Sequence, residues 1–115
     1  METLNAQINT SRLGFINNGI FSFCLTLTIQ GGSAVNIGGY VMDRYDKEKE
    51  KRIGTAYGMA LIMRILEVVG VNTWEELEGK YIRINNVRLG DSVTKIGNLM
   101  KEDWIDFDAF GKEFI

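Results

Sequence analysis

Gly31-Gly32-Ser33 and Gly38-Gly39-Tyr40 bracket the short run Ala34-Val35-Asn36-Ile37. Glycines leave backbone N–H groups open and let an anion or a base come close. Ser33 and Asn36 would add hydrogen bonds, and Tyr40 a stacking face. No Gly-Lys-Ser/Thr follows, so this is not a Walker loop, and no helix opens directly after it, so it is not a dinucleotide fingerprint. The competing reading is a bulged strand with turns at its ends. A second candidate lies at Arg52-Ile53-Gly54-Thr55, which opens a helix. Free N–H groups there, with Thr55 and Arg52 beside them, could hold a phosphate or carboxylate. Simple capping by Thr55 explains the same residues. The two segments converge on one site only if the strand after Asn36 ends beside the helix start.

Three further features carry chemistry or its absence. Arg64 stands in an apolar helical run, where it either pairs with Glu67 at i+3 or anchors a dimer interface. Asp103, Trp104, Asp106, Phe107 and Asp108 interleave acids with aromatics. Such a surface can imitate nucleic acid in the basic groove of a partner; otherwise its aromatics fill the core and its acids face solvent. The chain has no His and one Cys, Cys24. That removes the usual general base and the commonest zinc ligand. It also precludes an internal disulfide, which fits a reducing cytosol. No catalytic set, metal site or cofactor motif is spelled out, so the expectation is a binding protein and not an enzyme.

The elements that must position these residues read as one α+β domain over 1–115. Asn18-Gly19 is a two-residue hairpin signal. After it, Phe21, Phe23, Leu25, Leu27 and Ile29 alternate with Ser22, Cys24, Thr26 and Thr28, a period-two strand. Leu4 to Phe15 is its weaker partner, with Ala6 and Ile8 on one face. Ala34 to Met42 makes a third strand, interrupted at Gly38-Gly39. Asp43 to Arg52, with five basic and four acidic residues, reads as a solvated loop. Thr55 to Val69 carries only Arg64 and Glu67 as charges, the mark of a helix buried on most sides, and it stops at Gly70. Thr73 and Glu76 make a capping box. Lys80 to Ile84 is a strand, Asn85-Asn86 a turn, and Val93 to Leu99 a last strand. Trp104, Phe107, Phe110 and Phe114, spaced three, three and four, suit a short C-terminal helix. The expected fold is an antiparallel sheet of about five strands, β-β-β-α-β-β, on one main buried helix.

At 115 residues, 45% hydrophobic and 24% charged, the composition is that of an ordinary globular domain. A net charge of −2 makes direct nucleic-acid binding an unfavoured expectation. No apolar run is long enough for a membrane span, and the N-terminus does not read as a signal peptide. One sheet covers only one side of the apolar helix, so a homodimer is expected to close the rest.

Several segments resemble a family of small phage and prophage proteins. They are Gly38-Gly39-Tyr40-Val41-Met42-Asp43, Lys51 to Met59, Arg64 to Val71, Trp74-Glu75-Glu76-Leu77 and Gly79 to Ile84. The likeness runs from about Leu13 to Phe107. That family is richer in glycine where this chain has Ala34-Val35-Asn36-Ile37. The resemblance implies a non-enzymatic accessory protein of the bacterial cytoplasm, inhibiting a host defence protein or complex in the manner of an anti-CRISPR. Two alternatives stand beside it. One is sequestration of a small anionic nucleotide signal at a subunit boundary; the other is an accessory role in phage recombination or replication.

Overall fold

Asn18 and Gly19 both take positive φ, 51° and 85°. A type I′ turn requires this, and it folds strand β1 (Thr3–Asn17) back onto β2 (Ile20–Ile29). The computed structural model describes residues 2–85 and 92–114. After β2 come β3 (Ala34–Gly38), β4 (Asp43–Asp46), β5 (Lys51–Gly54) and helix α1 (Ala56–Val69). A single 3-10 turn (Trp74–Leu77), β6 (Tyr81–Asn85), β7 (Lys95–Gly97), β8 (Trp104–Asp106) and α2 (Phe107–Lys112) complete the chain. The main sheet has six strands in the order β3-β2-β1-β6-β7-β8, with every neighbouring pair antiparallel. β4 and β5 form a separate two-stranded ribbon. The fold is therefore α+β, and β1 sets its length: 15 residues at ~3.3 Å each match the 49 Å long axis.

Alternation in β2 places Phe23, Leu25, Leu27 and Ile29 in the core, together with Ala6 and Ile8 of β1. Ile82, Ile84, Ile96, Ile105 and Phe107 extend that layer. Helix α1 lays Gly58, Leu61, Ile65 and Val68 on it. Thr55 caps the helix by accepting from the Gly58 N–H at 3.0 Å, and Gly70, at φ 87°, ends it.

Several sequence expectations are corrected. There are six strands in the main sheet and not about five, because Trp104–Asp106 is a strand and not helical. Ile105 and Phe107 alternate inward there, and the helix starts only at Phe107. The strand expected to reach Met42 stops at Gly38, because Gly39 turns the chain at φ 81°. The last strand shrinks to Lys95–Gly97, since the Asn98 carboxamide accepts from the Met100 and Lys101 N–H groups and bends the backbone. The charged segment Asp43–Arg52 is a hairpin. Asp46 closes its turn by accepting from the Glu48 and Lys49 N–H groups, and Asp43 is buried against Arg52. Thr73 and Glu76 do not form a capping box: the Thr73 hydroxyl bonds the Glu76 carboxylate instead of a backbone N–H. Helix α1 buries one stripe only, and Met59 and Met63 are exposed. Its Tyr57 is packed by Phe110 and Phe114 from the C-terminus. Of the expected Asn85-Asn86 turn, Asn85 ends β6 and Asn86 lies outside the described residues.

Candidate functional site

The strand itself ends at Gly38, and it is the segment after it, Tyr40 to Met42, that meets the start of α1. Past Gly39 the chain runs extended beside the helix N-terminus, where the Met42 N–H donates to the Phe21 carbonyl at 3.0 Å. The Met42 carbonyl in turn accepts from the Thr55 hydroxyl at 2.8 Å. Tyr40 is thereby brought to the same cleft as Thr55, about 540 Å³, with Tyr57, Phe107, Asp108 and Lys112 on its walls. Tyr40 forms a three-ring cluster with Phe23 and Phe107, its centroid 6.0 and 5.0 Å from theirs, which are 5.9 Å from each other. Its phenol is pushed up to about 12, first by burial and then by the nearby Asp108 carboxylate. The Tyr57 phenol is raised for the same two reasons. At the pH of a cell both hydroxyls are neutral and can donate a hydrogen bond.

The remaining glycines of that segment are elsewhere. Gly31 and Gly32, at φ 98° and 100°, form the exposed β2–β3 turn, closed by Ile29 N–H to Ser33 carbonyl at 2.7 Å. The five residues from Ser33 to Ile37, roughly 16 Å of extended chain, separate them from Gly38 and Tyr40. Ser33 and Asn36 are exposed and face neither cleft. Gly38 is required for packing: a Cβ there would run into the Phe23 carbonyl.

Arg52 lies on the opposite side of α1. Its guanidinium forks onto Asp43, Nε to Oδ2 at 2.6 Å and Nη2 to Oδ1 at 2.9 Å. The Asp43 side chain is 3% exposed, covered by an Arg52 side chain that itself keeps 29% of its surface in water. Arg52 keeps the Asp43 carboxyl below the usual carboxylate range, mainly by hydrogen bonding. This pair walls an apolar groove of about 300 Å³ between the turn end of the β1–β2 hairpin and the helix. Phe15, Phe21, Met42, Met59 and Ile62 line it. Phe15 is 64% exposed and Met59 61%, an unusual amount of apolar surface beside a groove.

Reading the sequence alone missed this groove. Phe15 and Phe21 flank the Asn18-Gly19 turn and meet edge to face, with centroids 5.2 Å apart. The placement of one Phe on each side of a hairpin turn was the available signal.

Arg64 donates to Asp103 at 2.6 Å and to the Trp104 carbonyl at 3.1 Å, while Glu67 sits 3.7 Å away. It ties α1 to β8 within the chain. The acidic aromatic residues are spread over different tasks. Asp103 holds Arg64, and Asp106 caps α2 by accepting from the Asp108 and Ala109 N–H groups. Phe107 is core. Trp104 lies against Gly97 and under Arg83, whose guanidinium carbon is 4.9 Å from the ring centroid. Of these residues only Phe107 and Asp108 reach the cleft. Among the described residues no group of His, Cys, Asp or Glu is arranged to hold a metal ion, and no helix is long and apolar enough to cross a membrane.

Three of the charged and polar side chains at these clefts, Asp43, Arg52 and Thr55, are thus engaged in holding the fold. Asp43 is bound to Arg52, and Thr55 bonds both Gly58 and Met42. What the Phe15–Met59 groove leaves over for other molecules is chiefly aromatic and aliphatic, whereas the larger cleft also presents Tyr40, Tyr57, Asp108 and Lys112. No family model and no curated protein matches the chain.

Proposed function

We propose that this chain is a phage-derived binding protein that inhibits a bacterial defence complex, in the manner of an anti-CRISPR, by occupying a partner surface without turnover. The observation that supports binding is the groove between Phe15 and Met59, whose apolar rim stands in water. Clustered apolar side chains of this kind mark partner sites, and unbranched Met adapts to the shape it meets. The resemblance to small phage proteins supplies the setting. In this reading the partner inserts an apolar side chain between Phe15, Met59 and Ile62, and the Asp43–Arg52 pair borders the contact with a polar rim.

The test is phage plating on bacteria that carry a CRISPR system, with and without the expressed chain. Plating should rise with the wild type. The double variant Phe15→Asp/Met59→Asp should lose that gain while keeping a wild-type far-UV spectrum. Unchanged plating with the wild type on all defended hosts would sink the proposal.

A second reading rests on the convergence of Tyr40 and Thr55 on the larger cleft. Two aromatic hydroxyls, Lys112 and the start of α1 suit a nucleotide, its base against Tyr57 and its phosphate toward Lys112. At 100 times its Kd a nucleotide stabilises by roughly 2.7 kcal/mol. A thermal-shift panel of mono-, di- and cyclic nucleotides therefore decides it, and a flat response across the panel excludes this reading.

A further inference from the structure

The two edges of the six-stranded sheet are guarded very differently. β8 is three residues long, carries Asp106 and runs straight into α2. Lys95 and Arg64 stand beside it in ion pairs. These are the usual devices against edge-to-edge pairing: a short strand, charge and a covering element. β3 has none of them. No Asp, Glu, Lys, Arg or Pro occurs between Arg12 and Asp43, so β3, its turn and the whole of β2 are uncharged. The long arm of β1 beyond β6 is also guarded, by Arg12, by Glu75 of the 3-10 turn and by Glu78 just after it.

The register shows which backbone groups of β3 are free. Ile29 N–H bonds the Ser33 carbonyl, and the partners run Leu27↔Val35 and Leu25↔Ile37. Hydrogen-bonded pairs recur every second residue in an antiparallel ladder. Val35 and Ile37 therefore turn their N–H and C=O groups to β2. Ala34, Asn36 and Gly38 turn theirs outward. These three residues are exposed, whereas Ile37 is buried. Among the described residues, no side chain or loop bonds the outward groups. Asn36 is the middle of the three, with a small residue on either side.

We infer that β3 is a self-pairing edge: a second copy of this chain adds its own β3 antiparallel across a two-fold axis at Asn36, joining two six-stranded sheets into one. The second copy is favoured over another partner because the edge complements itself. Ala34 falls opposite Gly38, Asn36 opposite Asn36, and no charge is brought against its like. The three outward pairs give about six backbone hydrogen bonds. A five-residue strand buries less than a standard interface, so the dimer is a weak one that forms in the micromolar range. This surface is distinct from the Phe15–Met59 groove and leaves it open.

Sedimentation equilibrium across the micromolar range should show the mass rising from 13.0 kDa toward twice that value. Asn36→Lys puts two ammonium groups on the axis, and it should remain at 13.0 kDa with an unchanged far-UV spectrum. In a Cys24→Ser background, Asn36→Cys should oxidise to a disulfide-linked dimer. Hydrogen-bonded antiparallel pairs hold Cα atoms about 5.5 Å apart, inside the range a disulfide spans. The parallel variant Met63→Cys, on the exposed face of α1, should stay monomeric. A wild type that sediments as a monomer throughout overturns the inference. So does a dimer that survives Asn36→Lys, or one that cross-links through Met63→Cys in place of Asn36→Cys.

Discussion

Two helical glycines should respond to alanine with opposite signs. Replacing Gly by Ala inside a helix ordinarily stabilises by up to about 1 kcal/mol. Gly58 sits in the first turn of α1, and a Cβ built there falls within contact of the Met42 carbonyl oxygen, with Met42 Cβ 3.0 Å away. That carbonyl also accepts the Thr55 hydroxyl at 2.8 Å, and Thr55 caps the Gly58 N–H itself. The added methyl must push the Met42 backbone off the helix, which strains a packed contact at about 1–3 kcal/mol. It also weakens a hydrogen bond worth about 0.5–1.5 kcal/mol. The steric and hydrogen-bond losses outweigh the helical gain, and the net is a destabilisation of roughly 1–3 kcal/mol. For a domain of this size that lowers Tm by roughly 4–12 °C. Gly111 in α2 is the internal control, because a Cβ there meets only the Tyr57 ring, at an ordinary 3.8 Å. Gly111→Ala should therefore hold or raise Tm. Thermal and urea unfolding followed by circular dichroism measure both variants. A Gly58→Ala chain as stable as wild type, or more so, would refute the close approach of α1 to Met42.

Three other perturbations follow from the same geometry. Asp43 ionises more readily folded than unfolded, so its contribution to stability is full above the unfolded carboxylate pKa of about 4. That contribution is lost as pH falls through the lower folded value, and Asp43→Asn should flatten this acid limb in urea melts run at stepped pH. Tyr40 is raised to about 12, so ultraviolet titration at alkaline pH should show a late tyrosine step that Tyr40→Phe removes. The stability it contributes is present below about pH 10 and fades as pH rises toward 12. Gly97→Ala would place a Cβ 2.5 Å from the Trp104 ring, driving it from under Arg83. Tryptophan emission should shift to the red and stability should fall by about 1–3 kcal/mol.

The parts of the fold that were legible in the sequence are those where local chemistry and tertiary packing agree. The Asn18-Gly19 turn, the alternation along β2, and the Thr55 and Gly70 ends of α1 each have a local cause that survives in the fold. The β4–β5 hairpin was hidden because its core-facing residue is an acid. Asp43 is buried only because Arg52, nine positions on, reaches back to neutralise it, and a hydropathy pattern counts both as solvent-facing. β8 was hidden by coincidence of periods. Trp104, Phe107 and Phe110 fit a helical spacing, yet Ile105 and Phe107 are the residues that face inward across a strand end.

The same distinction explains how the candidate site divided. Glycine and serine at positions 31–33 signal freedom of the backbone, and the turn at Ile29–Ser33 uses that freedom locally. Tyr40 and Thr55 were separate suggestions whose meeting depends on a single non-local feature, the passage of Tyr40-Val41-Met42 along the first turn of α1. Gly58 is what permits that passage, since any side chain there would hold Met42 away. One buried glycine thus positions the cap of α1 and the Met42 wall of the Phe15–Met59 groove, and places Tyr40 beside the helix start. It follows that Gly58→Ala should disturb partner binding through that groove as well as stability. Phe15→Asp, at a side chain that stands mostly in water and meets the junction only through the Phe21 ring, should affect binding far more than stability.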